Sequence, residues 1–193
     1  YGELYYDAKP PTALSALGDG YGVITVGTLS KTLATGLRVG WIHGRPDIIQ
    51  LMGKMRFAMG LNQMVVRLVS NFMQDGALDN HTNKVRALYR SKMEVLTAAL
   101  EAHAGDLLSF NRPLGGFYLW VKLRDGLTAD AVWRTATQEG VSTTPGTSFF
   151  PARVDHSGEH IRIAFPWTPM EDLEEGARRF SIACKRVSKG DAV

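Results

Sequence analysis

Apolar and polar residues follow two different patterns along this chain of 193 residues, and the pattern changes near residue 105. Before that point, apolar residues recur mainly at helical spacing, with only two short strand-like runs at 22–27 and 38–43. After it, short strands alternate with helices, as in a small α/β domain. We therefore predict an α/β protein in which residues 1–100 belong to a larger domain and residues 101–193 form a small C-terminal α/β domain.

Three helices are predicted in the first stretch. One follows Pro46 and covers residues 47–59, and the next covers 61–73. The second of these is apolar on several faces, a pattern that predicts a buried helix. A longer helix from about residue 80 to 103 links the two domains, and its apolar stripe consists of Val85, Leu88, Met93, Leu96 and Leu100.

The second stretch is predicted to contain four strands and two helices. The first five of these elements are expected at 107–110, 116–122, 129–138 (the helix), 140–144 and 160–165. The last helix has the sequence of a capping box, with Thr168 as the N-cap, Pro169 at the first helical position and Glu171 three residues after the cap.

Composition and charge narrow the possible functions. The 45% of hydrophobic residues is typical of a soluble globular protein, and a net charge of +3 from scattered basic residues gives little support to nucleic-acid binding. Apolar runs are shorter than the roughly 20 residues needed to span a bilayer, so we expect a cytoplasmic protein. The single cysteine, Cys184, excludes an internal disulfide. His156 and His160 have a metal-ligand spacing, but Gly158 between them favours a loop, and no metal is predicted.

One lysine has neighbours that suggest chemistry. Lys31 follows the first predicted strand, with Thr28 and Ser30 before it and Arg38 after it. Burial beside another cation favours the neutral amine of a lysine, the form that attacks an aldehyde. A phosphate-binding P-loop is excluded, because Ser30 stands where that motif requires glycine. Two hydroxyls and a guanidinium can instead bind a phosphate dianion directly, although loop capping also explains each hydroxyl taken singly.

Five segments, in this order, resemble the motifs of fold-type I pyridoxal-phosphate enzymes, specifically the class I/II aminotransferases. They are the tyrosine segment YGELYYD, the lysine segment TLSKTLATGLRVGW, the glycine-pair strand PLGGFYLW, the Pro-Gly-x-x-Phe element VSTTPGTSFF and the arginine strand HIRIAF. The resemblance implies the C-terminal part of the mixed-sheet cofactor domain, followed by the small α/β domain. It also implies pyridoxal 5'-phosphate as the cofactor.

The resemblance implies a role for each residue of the cofactor site. Lys31 would form a Schiff base with the cofactor aldehyde and later move a proton between the substrate Cα and the cofactor. Arg38, Thr28 and Ser30 would bind the phosphate, and Tyr1 would hydrogen-bond the ring hydroxyl. The implied reaction is transamination between an L-amino acid and a 2-oxo acid such as 2-oxoglutarate. A lyase or decarboxylase on the same scaffold is the nearest enzymatic alternative.

Arg162 is the candidate for binding the substrate carboxylate. It lies between Ile161 and Ile163 on a predicted strand, so its side chain points away from these apolar neighbours. The resemblance favours a role in the substrate cleft over an ordinary solvated arginine. Four aromatic residues are either pocket or core residues: Trp41, Phe117, Tyr118 and Phe149.

The resemblance also implies partners. If Tyr1 is the tyrosine of the family's Asp-x-x-Tyr pair, the first half of the family's fold is missing from this chain and would have to supply the rest of the cofactor site. A homodimer is implied as well. The alternative from another functional class is a non-catalytic, aminotransferase-like sensory domain of a transcription regulator.

Overall fold

The computed structural model describes residues 2–17, 20–55, 60–124, 126–151 and 157–191. It confirms the α/β class, with helices and antiparallel sheets. The chain divides into an N-terminal unit, Tyr1–Ala87, and a C-terminal unit, Leu88–Val193. This division falls inside one long helix. The domain boundary expected after residue 100 lies further along the same helix and remains a prediction.

The N-terminal unit contains one two-stranded ribbon and several helices. Its elements are α1 (Leu14–Leu17), β1 (Thr25–Thr28), β2 (Gly40–His43), α2 (Pro46–Lys54), α3 (Gln63–Phe72) and the start of α4 (Ala77–Ala104). The strands β1 and β2 pair antiparallel, with Thr28 opposite Gly40. Both predicted strands are therefore confirmed in position, although each begins two or three residues later than expected. Helix α4 is confirmed as one continuous element.

Helix α3 corrects one prediction about burial. Its start is fixed by Asn62, whose side chain accepts hydrogen bonds from the backbone N–H groups of Met64 and Val65. Only Val69 is buried, whereas Met64 is 79% exposed and Leu68 is 57% exposed. The predicted buried helix is thus largely exposed, because the described residues cover one side of it only. An apolar sequence shows that a helix face can be buried, not what covers it.

The C-terminal unit is a four-stranded antiparallel sheet with helices. After α4 its elements are β3 (Leu108–Phe110), β4 (Tyr118–Leu123), α5 (Ala129–Gln138), β5 (Thr144–Pro145), β6 (His160–Ala164) and α6 (Leu173–Ser188). The strand order is β3-β4-β6-β5. Helix α5 has the predicted bounds, and the Thr128 side chain caps it by accepting from the N–H of Ala131.

The two faces of this sheet differ. Leu119, Val121 and Ile161 are fully buried on one face, and Phe180 of α6 belongs to the same buried core. Tyr118, Trp120 and Arg162 occupy alternate positions and therefore lie on the opposite face. This alternation places the candidate substrate arginine away from the core, as the sequence predicts.

Two local predictions in this unit are wrong. The strand expected at 140–144 is reduced to Thr144–Pro145, because Gly140 turns the chain with φ 78° and the N–H of Val141 bonds the carbonyl of Ala136 at 2.8 Å. Those residues leave α5 and do not pair with β6. The predicted capping box is also absent, since α6 follows a short 3-10 turn and has no side-chain cap. The carbonyl of Thr168 instead accepts a hydrogen bond from Lys92.

Candidate cofactor and substrate site

Three of the predicted site residues, Ser30, Lys31 and Arg38, lie in the loop between β1 and β2, and a fourth, Thr28, is the last residue of β1. The ends of the loop are joined by a hydrogen bond from the N–H of Leu29 to the carbonyl of Val39, at 3.1 Å. Inside it, the N–H groups of Leu33 and Ala34 both donate to the carbonyl of Leu29, which forms a single tight turn. Gly40 permits the close approach of the strands, because a side chain there would lie 2.8 Å from the carbonyl oxygen of Gly27. Backbone bonds therefore define the shape of this loop.

The structure brings the two predicted hydroxyls together. Thr28 Oγ1 accepts the N–H of Ser30 at 3.1 Å and lies within hydrogen-bond distance of Ser30 Oγ, at 3.1 Å, and of the carbonyl of Val39, at 3.4 Å. The carbonyl of Ser30 in turn accepts from Thr35 Oγ1. Two arrangements of the hydroxyl protons fit these distances: Thr28 either donates to Ser30 Oγ, which leaves the Ser30 proton for an acceptor outside the pair, or donates to Val39 and accepts from Ser30. An anion beside Ser30 would select the first arrangement.

The two cations of the loop are exposed. The Lys31 ammonium has no hydrogen bond or salt bridge to any described residue. Among the described residues, Arg38 donates only to the carbonyl of Thr35, at 3.5 Å. Arg38 also has a left-handed backbone, with φ 51° and ψ 35°, which costs a residue other than glycine about 1–2 kcal/mol. The described residues do not bury Lys31, contrary to the expectation from the sequence. The strand before it, β1, is itself half exposed.

This donor set fits a phosphate dianion. A phosphate needs several hydrogen-bond donors and at least one fixed positive charge. The ammonium of Lys31 and most of the N–H groups of Arg38 have no partner among the described residues, and the Ser30 hydroxyl can act as a further donor. No aspartate or glutamate occurs between residues 25 and 43 to compete for these donors. The loop is therefore suited to an anion.

Arg162 is held between two aromatic rings. Its guanidinium carbon lies 4.3 Å from the centroid of Tyr118 and 4.4 Å from that of Phe149. Its Nε is buried and has no hydrogen-bond partner among the described residues. Both rings present a face to the guanidinium, a contact that leaves its N–H groups free to hydrogen-bond a carboxylate. A buried donor without a partner is uncommon, so the Nε of Arg162 is a candidate for a further acceptor.

The aromatic candidates separate into different roles. Phe117 is buried in the core, whereas Tyr118 and Phe149 clamp Arg162. Trp41 lies over Gly27, where a side chain at position 27 would collide with its ring. Sequence reasoning missed Trp120, which contacts Phe149 edge-on and stacks on His160. Its position two residues after Tyr118 was the available signal, because alternate strand residues share a face.

Several predicted site residues either lie outside the described residues or belong to different units. Tyr1 lies outside the described residues, and so does His156. Thr28, Ser30, Lys31 and Arg38 belong to the N-terminal unit and Arg162 to the C-terminal unit. Within the described ranges, no three metal-binding side chains converge on one point. None of the helices described is long and apolar enough to cross a membrane.

Comparisons with known proteins identify the family. A model of the family "Aminotransferase class I and II" matches residues 1–180. The aromatic-amino-acid aminotransferase 1 of Thermococcus litoralis is 30% identical over 98% of this chain and 45% of its own length. An uncharacterized HTH-type transcriptional regulator of Bacillus subtilis, YdfD, is 28% identical over 97% of this chain and 39% of its own length.

A solved structure supports the same assignment. The α-aminoadipate aminotransferase LysN from Thermus thermophilus superposes with a TM-score of 0.86 and 30% identity. The match covers 97% of this chain and 49% of that structure. This chain thus spans about half the length of the relatives it matches, or less. The resemblance predicted from five motifs is confirmed, and the chain belongs to the class I and II aminotransferase family.

Proposed function

We propose that this chain is part of a cytoplasmic pyridoxal-phosphate-dependent aminotransferase of amino acid metabolism. The enzyme transfers the amino group of an L-amino acid to a 2-oxo acid, 2-oxoglutarate among them. Pyridoxal 5'-phosphate is the characteristic cofactor of the family. The observation that supports the proposal most is the exposed ammonium of Lys31, which has no partner among the described residues, beside the paired hydroxyls of Thr28 and Ser30 and beside Arg38.

Different residues in and beside the loop would bind different parts of the cofactor. Arg38 and the hydroxyls of Thr28 and Ser30 would bind the phosphate, and Lys31 would bind at the aldehyde carbon. When bound, the cofactor supplies an electron-withdrawing ring that accepts the electron pair released at the substrate Cα. The freed amine of Lys31 would take the proton from Cα and return it at the cofactor carbon.

Arg162 would bind the α-carboxylate of both substrates. Its ring clamp fixes the plane of the guanidinium, and its buried Nε would gain the acceptor that the described residues do not supply. A carboxylate bound along the edge of the guanidinium receives two parallel hydrogen bonds. Binding through a group that every L-amino acid and 2-oxo acid shares leaves the choice of side chain to other residues.

The proposal is tested by spectroscopy and product analysis on the complete protein. The parent protein should acquire the visible absorption of lysine-bound pyridoxal phosphate and convert an amino acid to its 2-oxo acid. Lys31→Ala should lose both properties, whereas Lys54→Ala, a matched change of an exposed lysine in the same unit, should retain them. Retention of both properties by Lys31→Ala would overturn the proposal. Release of CO₂ or free ammonia as the main product would indicate the decarboxylase or lyase alternative.

A second candidate function is that of a sensory domain in a transcription regulator. The similarity to YdfD, which extends over 97% of this chain, favours it. Such a domain would bind the cofactor at Lys31 without turnover. If the complete protein takes up the cofactor, forms no 2-oxo acid and shifts a DNA fragment from its own promoter in a gel, this second function is correct.

We further propose that the remainder of the site comes from outside this chain. Part of it would come from the portion of the relatives' length that this chain does not match. A second copy of the protein would cover the exposed apolar side chains of α3, Met64 and Leu68. Sedimentation of the complete protein tests the dimer, and Met64→Asp should shift it toward the monomer.

A further inference from the structure

Lys92 is a buried lysine that the proposed reaction does not use. It lies on α4 within the C-terminal unit and is 6% exposed. Its Nζ donates to the carbonyl of Pro166 at 2.8 Å and to that of Thr168 at 2.6 Å. Burial lowers the pKa of the Lys92 ammonium, and the charge of Glu171 opposes this effect only in part. Burying an ammonium that is bonded to carbonyls, without a carboxylate partner among the described residues, costs desolvation free energy. This cost suggests that the position of the two carbonyls matters.

The segment that Lys92 binds has few other supports. Residues 165–168 follow β6 directly and precede the 3-10 turn before α6. The N–H of Phe165 bonds the carbonyl of Phe117, but no backbone hydrogen bond to a described residue involves 166–168. Trp167 is 86% exposed, and the segment borders a cavity of about 730 Å³, so packing supports it weakly on that side. Phe165 itself is buried and its ring contacts Tyr89, so the two bonds from Lys92 are the main anchor of residues 166–168.

This anchored segment is continuous with the clamp around Arg162. Strand β6 contains Arg162 and ends at Ala164, which lies opposite Tyr118 of the clamp. The bond between Phe165 and Phe117 extends the same pairing by one residue. A shift of residues 166–168 would pull on Phe165 and, through it, move the end of β6 against the start of β4, and with it the ring of Tyr118 against the guanidinium.

We propose that Lys92 is a positioning residue for Arg162. Lys92 fixes residues 166–168 and thereby holds the guanidinium in the orientation that forms two hydrogen bonds to a carboxylate. This inference rests on the proposed role of Arg162 in binding the substrate carboxylate. Lys92 itself touches neither substrate nor cofactor. Its loss should therefore weaken carboxylate binding and leave the proton transfers at Lys31 unaffected.

Steady-state kinetics of the complete protein test this. Lys92→Met removes the two donors and retains the length of the apolar stem. It should raise KM for the amino acid and for the 2-oxo acid by about tenfold, within the roughly 100-fold that a misplacement of 1 Å can cost, and change kcat by less than about twofold. Lys84→Met, the same change at an exposed lysine of α4, should leave both constants unchanged. Amide exchange should also quicken at residues 163–168 in Lys92→Met only.

A double-mutant cycle distinguishes this inference from the proposed function. Arg162→Lys should raise KM by itself, and Lys92→Met should add little to it, because both changes disturb one contact. If Arg162→Lys raises KM while Lys92→Met leaves it unchanged, or lowers only kcat or thermal stability, the positioning role is wrong. If Arg162→Lys leaves KM unchanged, the proposed function of Arg162 fails and the inference fails with it.

A second variant covers the case in which Lys92→Met does not fold. Lys92→Gln retains two N–H donors on a stem too short to reach both carbonyls. It should raise KM less than the tenfold expected of Lys92→Met, and a KM equal to that of the parent protein would overturn the proposal.

Discussion

Strand β6 of the C-terminal unit is paired on both edges, whereas strand β1 of the N-terminal unit has one partner in a ribbon two strands wide. The apolar residues Ile161 and Ile163 of β6 are buried, but Val26 of β1 is 74% exposed. Arg162 is thus positioned by a packed sheet and two aromatic rings. Lys31 is positioned by the backbone hydrogen bonds of one loop. The two candidate binding residues depend on different kinds of interaction.

Because of this difference, we expect substitutions that change the chemistry to be distinct from substitutions that change the stability of the fold. A two-stranded ribbon is marginal by itself. In the loop that follows β1, Leu29, Ser30 and Thr32 are buried, whereas Lys31 and Arg38 are exposed. Substitutions of these two exposed residues should affect chemistry and leave the stability of the fold unchanged. In the C-terminal unit, substitutions in the core should affect stability, and substitutions around Arg162 should affect substrate binding.

The largest expected effect is on catalysis. Lys31→Ala should reduce the rate of transamination by at least about 10²–10⁴-fold, the usual contribution of a positioned acid–base group. Measured without cofactor, its melting temperature should equal that of the parent protein, because Lys31 is exposed and has no bond to a described residue. Cofactor bound to the parent protein alone would raise the melting temperature of the parent. A parallel measurement of turnover and thermal unfolding checks this. A large fall in melting temperature would contradict the separation of function from stability.

The next effect is on stability. Phe180→Ala removes a ring that is 1% exposed and should lower the free energy of unfolding by about 3–5 kcal/mol. Met64→Ala, on the exposed face of α3, should change it by less than about 0.5 kcal/mol in the monomer. Urea unfolding of the two variants measures both values. Equal losses would show that the surface of α3 is covered.

A smaller effect is expected at the aromatic clamp. Tyr118→Leu removes one ring from the face of Arg162, a contact of about 1 kcal/mol, and should raise KM for both substrates about fivefold. Phe149→Leu should have a similar effect. Leu127→Val, a change in the core away from the clamp, is the control and should leave KM unchanged. A change in kcat alone would contradict the assignment of these rings to carboxylate binding.

The smallest effect concerns pH and stability. Hydrogen bonds from Arg178, and then from Arg179, lower the pKa of the Glu175 carboxyl to about 2 from its ordinary 4.5. A lowered pKa in the folded state stabilises the protein above pH 4.5, and this contribution is lost as the pH falls through about 2. Glu175→Gln should thus melt slightly lower at pH 7 and show no difference below about pH 2. A difference that persists in acid would contradict this explanation.

Features set by neighbouring residues were predictable from the sequence. The bounds of α5 were correct because Thr128 caps the helix locally. The position of Arg162 on the open face follows from strand alternation. The predicted capping box was wrong because Pro169 has an extended backbone (ψ 150°) and a 3-10 turn, Met170–Asp172, comes before α6, so Thr168 does not lie at the helix start. The burial predicted for α3 was wrong, because the residues that could cover a helix face are distant in sequence or belong to another chain, and the local pattern does not identify them.

The same distinction applies to the candidate site. Thr28, Ser30, Lys31 and Arg38 are close in sequence, so their common loop could be predicted. Their hydroxyl pairing and the left-handed backbone of Arg38 could not, because these depend on how the loop closes. Lys92 carries no local signal, since a lysine in a long helix is usually exposed.

Borohydride reduction of the complete protein with pyridoxal phosphate, followed by peptide mapping, tests the central claim most directly. Reduction makes the bond between the cofactor and its lysine permanent, so the modified residue can be identified by mass. We predict one pyridoxyl label, on the peptide that contains Lys31, and its loss in Lys31→Ala. A label on any other lysine, or no label in a folded protein saturated with cofactor, would contradict the account.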